Sequence, residues 1–128
     1  MNVVLVVEGH RMMRGALLDL LVQNGFQSVI GANDPIDAIG KTSRLAPRVI
    51  ILDTAWQEIQ GVYLSRILRE LDPQSHIVLL VDEEWNAEQE MKDSSGADTH
   101  VPKSMLLEKL PPLLLGWERV NVKSFEIG

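Results

Sequence analysis

Three short runs in this chain are apolar without a break: Val3-Val4-Leu5-Val6-Val7, Val49-Ile50-Ile51-Leu52 and Ile77-Val78-Leu79-Leu80-Val81. A strand with one wet face alternates apolar and polar residues, whereas a strand covered on both faces does not. These runs therefore predict central strands of a parallel sheet with helices above and below it. The intervening segments agree. Met13, Ala16, Leu17, Leu20 and Leu21 recur at spacings of three and four, as do Leu64, Ile67, Leu68 and Leu71, and each set predicts an amphipathic helix. Asn24-Gly25 ends the first helix with a residue suited to a left-handed turn. Asp34-Pro35 starts another, a capping carboxylate followed by Pro at the first helical position, with Ala38, Ile39, Thr42 and Leu45 along one side and Pro47 closing it. Shorter strands over 27–31 and ending near Val101, just before Pro102-Lys103, bring the strand–helix alternation to five.

Right-handed crossovers leave few topologies for five such units, and the most economical is α/β and flavodoxin-like: three layers, a doubly wound five-stranded parallel sheet, strand order 2-1-3-4-5. In that order the first and third strands are neighbours, so Glu8 and Asp53 leave the sheet side by side. Lys103, just past the fifth strand, can reach toward them. The crevice beyond the carboxyl ends of such strands is where ligands bind. The plainer reading makes Asp53 a solvated loop carboxylate that caps whatever follows.

The remainder is less regular. Residues 82–93 hold six acids and one Lys, with Trp85, Ala87 and Met91 as apolar anchors, and predict a weakly held helix. Within 104–117, Pro111-Pro112 interrupt a leucine-rich run, so that helix either begins late or is kinked. The leucines at 106, 107, 110 and 113–115 offer a surface for a homodimer, although leucines at helical spacing are more often core. Residues 118–128 form a tail with Val120, Val122, Phe125 and Ile127, suited to packing on the domain, joining a partner, or beginning a linker to an output domain.

At 128 residues the chain is long enough for one domain, here 1–117, with a core of its own. It has no cysteine, which excludes a disulfide framework or thiolate metal site and suits a reducing cytoplasm. A formal net charge of −6 argues against gripping a nucleic-acid backbone. No apolar run approaches the roughly 20 residues that span a bilayer, so no membrane partner is expected.

The acid ending the first strand, the Asp ending the third, the Gly eight residues later, the Gly-Ala-Asp turn and the Lys past the fifth strand together resemble the receiver domain of two-component response regulators. Here these are Glu8, Asp53, Gly61, Gly96-Ala97-Asp98 and Lys103. His10 and Arg14-Gly15 look most like the subfamily that carries a C-terminal helix-turn-helix domain, which would place DNA binding in another segment. The resemblance implies that Asp53 accepts a phosphoryl group from a histidine kinase or phosphotransfer protein, and that Lys103 contacts a phosphoryl oxygen. It implies Mg²⁺ held by acids of the first loop, by Asp53 and by a loop carbonyl, here that of Ala55. A hydroxyl at the end of the fourth strand then closes on the phosphoryl group and draws an aromatic of the fifth strand inward.

Several of those parts depart from the family pattern. Gly9 stands where the second acid of the first loop belongs, leaving Glu8 alone, so Mg²⁺ binding is expected to be weak or absent. Exposed His10 is a poor substitute, since imidazole suits other metals. Val81 stands where the switch hydroxyl belongs and cannot donate a hydrogen bond. His100 holds the aromatic position, read as a core-edge residue rather than a pH sensor, and the loop after Asp53 carries Trp56-Gln57 where an apolar residue and Pro are usual. The expectation is thus an atypical receiver domain that signals and is not an enzyme, with phosphorelay and a phosphorylation-independent pseudo-receiver as competing mechanisms. A flavodoxin-like small-ligand binder is disfavoured because the first loop lacks phosphate-cradling amides and begins with an acid.

Overall fold

The computed structural model describes residues 3–55, 61–82 and 95–127, with side chains described as far as Trp117. The order is β1 (Val3–Val7), α1 (Arg11–Gln23), β2 (Ser28–Ala32), α2 (Pro35–Leu45), β3 (Val49–Asp53), α3 (Gly61–Leu71), β4 (His76–Val81), β5 (Thr99–Pro102), a 3₁₀ turn (Lys103–Met105) and α4 (Leu106–Ile127). The strands pair in parallel in the order β2-β1-β3-β4-β5, the doubly wound order expected. The acidic segment 82–93 and the residues Trp56, Gln57 and Trp85 lie outside the described residues, apart from Asp82.

The unbroken apolar runs supply two cores because successive strand residues face opposite sides of the sheet. Val4, Val6, Ile51, Val78 and Leu80 pack toward Leu17 and Leu21 of α1 and toward Leu106, Leu110 and Leu114 of α4. Leu5, Val7, Ile50, Leu52, Leu79 and Val81 pack toward Ala38 of α2 and Leu64 and Leu68 of α3. All of the central strand β3, Asp53 included, is buried.

Helix ends follow the local chemistry. Asp34 caps α2, its Oδ1 accepting from the Asp37 amide at 2.7 Å. Gly25, with φ of 93°, supplies the left-handed turn after α1. Gly61 opens α3 against the chain leaving β3, where an added Cβ would lie 2.4 Å from Thr54 Cα, so this position admits only glycine without backbone movement.

The structure corrects the sequence at four places. Leu71 is 43 % exposed rather than on the inner face, because α3 turns Val62 and Ser65 inward with Leu64 and Leu68. The last helix does not begin after its prolines: Pro111 and Pro112 lie inside α4, and the carbonyls of Leu107 and Glu108, which their missing amides would have served, belong to exposed residues that water can reach. That helix also continues past Trp117 to Ile127, since no Pro or Gly stands between Gly116 and Gly128. Finally, the leucine surface drawn for a homodimer is mostly interior, with Leu106, Leu110 and Leu114 in the core and only Leu107 strongly exposed at 75 %.

Candidate functional site

Registers Val7↔Leu52 and Asp53↔Leu80 bring the ends of β1, β3 and β4 to one edge of the sheet. Glu8 follows β1 and Asp53 ends β3, and both are buried, at 4 % and 6 % exposure. Lys103, in the turn after β5, places its Nζ 2.9 Å from Asp53 Oδ1 and 3.5 Å from Asp82 Oδ1. Three residues far apart along the chain thus meet because the strand order makes them neighbours.

Other groups complete the pocket. The Ala55 amide donates to Asp53 Oδ1 at 3.0 Å, so that oxygen is engaged twice. Thr54, next to the acid, donates its hydroxyl to the Leu80 carbonyl at 3.0 Å and its amide to the same carbonyl at 3.2 Å, which ties the loop to β4. Arg14 reaches back from α1, its Nη1 donating to the Glu8 carbonyl at 2.8 Å, and its stem lies over Gly31, where a Cβ would be 3.0 Å from Arg14 Cδ. Sequence reasoning marks Arg14 only as a subfamily feature. The signal for its role lies in β2, where a strand-interior glycine marks a close approach by another group.

His10 serves the backbone instead of a metal. It caps α1, its Nδ1 accepting from the Met13 amide at 3.3 Å. Val81 is buried at 3 % exposure on the α2–α3 side of the sheet, and His100 is half-buried on β5, opposite Leu79.

The electrostatics of the pocket follow from burial. Burial, reinforced by the hydrogen bond and charge of Asp53, pushes the Glu8 carboxyl up to about 8. Burial would raise Asp53 as well, but hydrogen bonds from Glu8, the Ala55 amide and Lys103 outweigh it and hold that carboxyl below the usual range. Lys103 responds in the complementary direction: burial would lower it, yet Asp53, Asp82 and Glu8 raise it. Near neutral pH the trio is thus an ionised Asp53, an ionised Lys103 and a Glu8 that largely keeps its proton.

As a cage for Mg²⁺ the set falls short. Octahedral Mg²⁺ asks for oxygens in near-ideal positions, whereas the first loop offers the Glu8 carboxyl and nothing at Gly9. Glu8 Oε2 is buried without a hydrogen-bond partner, so one oxygen is free to receive a cation. Asp53 Oδ1 is already shared between Lys103 and the Ala55 amide. Among the described residues no group of three or more His, Cys, Asp or Glu side chains could hold a metal ion.

A doubly wound domain with an acid, an aspartate and a lysine gathered at the carboxyl edge of its sheet defines a class of signalling module, and similarity to known proteins identifies which. Residues 4–114 match the family model described as response regulator receiver domain, and the chain belongs to that family. It is 31 % identical over 107 residues to response regulator MprA of Mycobacterium leprae (strain TN), covering 84 % of this chain and 46 % of MprA. The chain therefore spans about half the length of that relative. Among solved structures, the response regulator receiver domain protein of Clostridium thermocellum superposes with a TM-score of 0.82 at 19 % identity, covering 98 % of both chains. Response regulator TrrA of Thermotoga maritima, crystallised with Mg²⁺ and BeF, gives 0.79 at 22 % identity, covering 91 % of this chain and 98 % of TrrA. At those identities the structural likeness speaks for the fold alone. No helix among the described residues is long and apolar enough to cross a membrane.

Proposed function

We propose that this receiver works in two-component signalling as a protein-recognition module whose output face is set without a phosphoryl switch. The observation that carries this reading is at the end of β4. Val81 is a buried hydrocarbon, and the neighbouring hydroxyl of Thr54 is committed to the Leu80 carbonyl. A phosphoryl group on Asp53 would therefore find no free hydroxyl there to draw in. A ligand shifts a conformational equilibrium only by its differential affinity for the two states, and that differential is what the missing hydroxyl removes. The partner surface would be the rim of the pocket. Met12, Ile36 and Leu107, each the second residue of its helix, are 79 %, 83 % and 75 % exposed, and a groove of about 200 Å³ opens between Met13, Leu20, Leu106 and Leu107. The domain itself is read as non-catalytic.

One observation favours a second reading. With Lys103 already 2.9 Å from Asp53, the pair has the geometry for Asp53 to accept a phosphoryl group from a histidine kinase or phosphotransfer protein, with Lys103 on a phosphoryl oxygen. In that reading Glu8, Asp53 and the Ala55 carbonyl would hold a weakly bound Mg²⁺, and a DNA-binding output domain would lie in a longer chain, as the greater length of MprA allows. Incubation with acetyl phosphate and Mg²⁺, followed by intact-mass measurement, separates the two. The first reading expects no stoichiometric adduct. A full adduct that disappears in Asp53→Asn, together with changed hydrogen exchange in β4 and β5, would establish the second.

A further inference from the structure

The strand-end pocket carries one inference beyond membership of the family. Its carboxylates are Glu8 and Asp53, its cations are Lys103 beside Asp53 and Arg14 bonded to the Glu8 carbonyl, and Asp82 lies at the outer side of the lysine. Lys103 Nζ sits against the Asp53 oxygen that also receives the Ala55 amide. A buried carboxylate must be paired or protonated, and here the pairing comes from within the chain. Gly9 is exposed and directly follows the buried Glu8. The buried, unpartnered Glu8 Oε2 marks where an incoming cation would find an oxygen.

We infer that Lys103 is the resident counter-ion of this pocket in place of a divalent metal, and that position 9 alone decides between the two. The wild-type chain has no saturable Mg²⁺ site in the low millimolar range, and Gly9→Asp creates one. This deepens the phosphorylation-independent reading and rests on it for its meaning, but it concerns binding of the ion and not modification of Asp53.

The physical reason is ligand count. Mg²⁺ gives up its water reluctantly and is held by carboxylates that replace that water in fixed positions. An aspartate at position 9 would supply one more anionic oxygen. It would also add a charge that Lys103 cannot neutralise, so the substituted pocket is repulsive until a cation enters. The two consequences are measurable separately.

The experiment titrates MgCl₂, and MnCl₂ as a paramagnetic substitute, into the 128-residue wild type, Gly9→Asp and the neutral control Gly9→Asn. Calorimetry and Mn²⁺ relaxation report occupancy, and thermal unfolding is followed with EDTA and with Mg²⁺. Gly9→Asp should bind one ion at least about 10-fold more tightly than wild type, since affinity follows the count of charged oxygen ligands, and should melt below wild type in EDTA and recover with Mg²⁺ by mass action. Gly9→Asn should behave as wild type in both respects. One-to-one wild-type binding in the low millimolar range would overturn the inference while leaving the phosphorylation-independent reading in place. Equal affinities for Gly9→Asp and Gly9→Asn would overturn it too. A stoichiometric phosphoryl adduct would instead sink the reading and not the ion preference. If Gly9→Asp proved unfolded in EDTA, recovery of its melting transition on adding Mg²⁺ would support the inference and failure to recover would count against it.

Discussion

Removing Lys103 and removing Asp53 should have unequal effects, and the inequality follows from the pocket's geometry. Lys103→Met keeps the aliphatic stem and deletes the charge 2.9 Å from Asp53 Oδ1. Exposed ion pairs contribute about 0–1 kcal/mol, whereas breaking a buried one costs about 3–5 kcal/mol. The Asp53 side chain is 8 % exposed and that of Lys103 26 %, so the pair lies between those limits. Discounted for the solvent around the lysine, the expected loss is about 2 kcal/mol, a fall in Tm of roughly 6–10 °C for a chain of this size. Asp53→Asn removes a charge too, but one that keeps Glu8 from ionising, since it helps to raise that carboxyl. Loss of the pair and the freedom of Glu8 to ionise against Lys103 oppose each other, and the change should stay within about 1 kcal/mol of zero. The pH dependence adds a check. The depressed Asp53 carboxyl contributes stability above its unfolded value of 3.8, lost as pH falls through the lower folded value. In Lys103→Met that acid-side slope should shrink. Urea unfolding of wild type, both single variants and the double variant at pH 7 gives the coupling energy. Equal costs for the two substitutions, or a coupling under about 0.5 kcal/mol, would refute this account of the pair.

Three further outcomes follow from single positions. Ala46 caps α2 in the left-handed region with φ of 46°, and Ala46→Gly should raise stability by about 0.5 kcal/mol, the relief of strain exceeding the added chain entropy, as urea midpoints would show. His76 stacks on Trp117 with ring centroids 4.4 Å apart, and burial, aided by Arg48 and Arg69 against Asp98, holds its pKa below the ordinary 6.5. The unfolded chain then binds the proton more readily, so stability should be complete above pH 6.5 and decline below it; Tm measured from pH 7.5 to 5.5, about a unit either side of the ordinary histidine value, should flatten in His76→Gln. Val81→Thr would bury a hydroxyl and should cost about 1–3 kcal/mol in thermal or urea unfolding, unless that hydroxyl finds an acceptor.

Much of the fold is legible in the chain because the strongest signals are also the least local. An unbroken apolar strand can only be covered on both sides, and alternation with amphipathic helices then leaves one economical order. The convergence of Glu8, Asp53 and Lys103 follows from that order before any distance is known. What the sequence hides depends on contacts between elements. Gly31 marks a close approach by some group, but that the group is Arg14, bound to the Glu8 carbonyl, is invisible without the β1–β2 register. The left-handed Ala46 carries no glycine to announce it. Part of the leucine surface belongs to the core because periodicity identifies an apolar face but not what covers it, and Leu106, Leu110 and Leu114 face the sheet. Prolines at 111 and 112 are breakers by local rule, yet the helix runs through them where the residues four back, Leu107 and Glu108, are exposed to water.

The two departures from the family pattern share a direction. A second acid at position 9 would join Glu8 and Asp53 in repulsion, and a hydroxyl at position 81 would enter a site that excludes water, so Gly9 and Val81 each relieve a cost to folding. Residues kept at a functional site against stability indicate use, and residues that stability favours do not. By that criterion the Asp53–Lys103 pair is uninformative about phosphorylation, since a close ion pair near the interior supports itself once formed. Glu8 is the costly survivor. It is buried at 4 % exposure, its Oε2 lacks a partner, and its carboxyl is driven up to about 8 by that burial. Its position is also secured from outside, through the Arg14 bond to its carbonyl and the amide bond from Glu8 to Ala32 at 3.0 Å. Replacing Glu8 with an apolar residue of similar size would remove that cost, so this carboxyl stands at the strand-end site against stability.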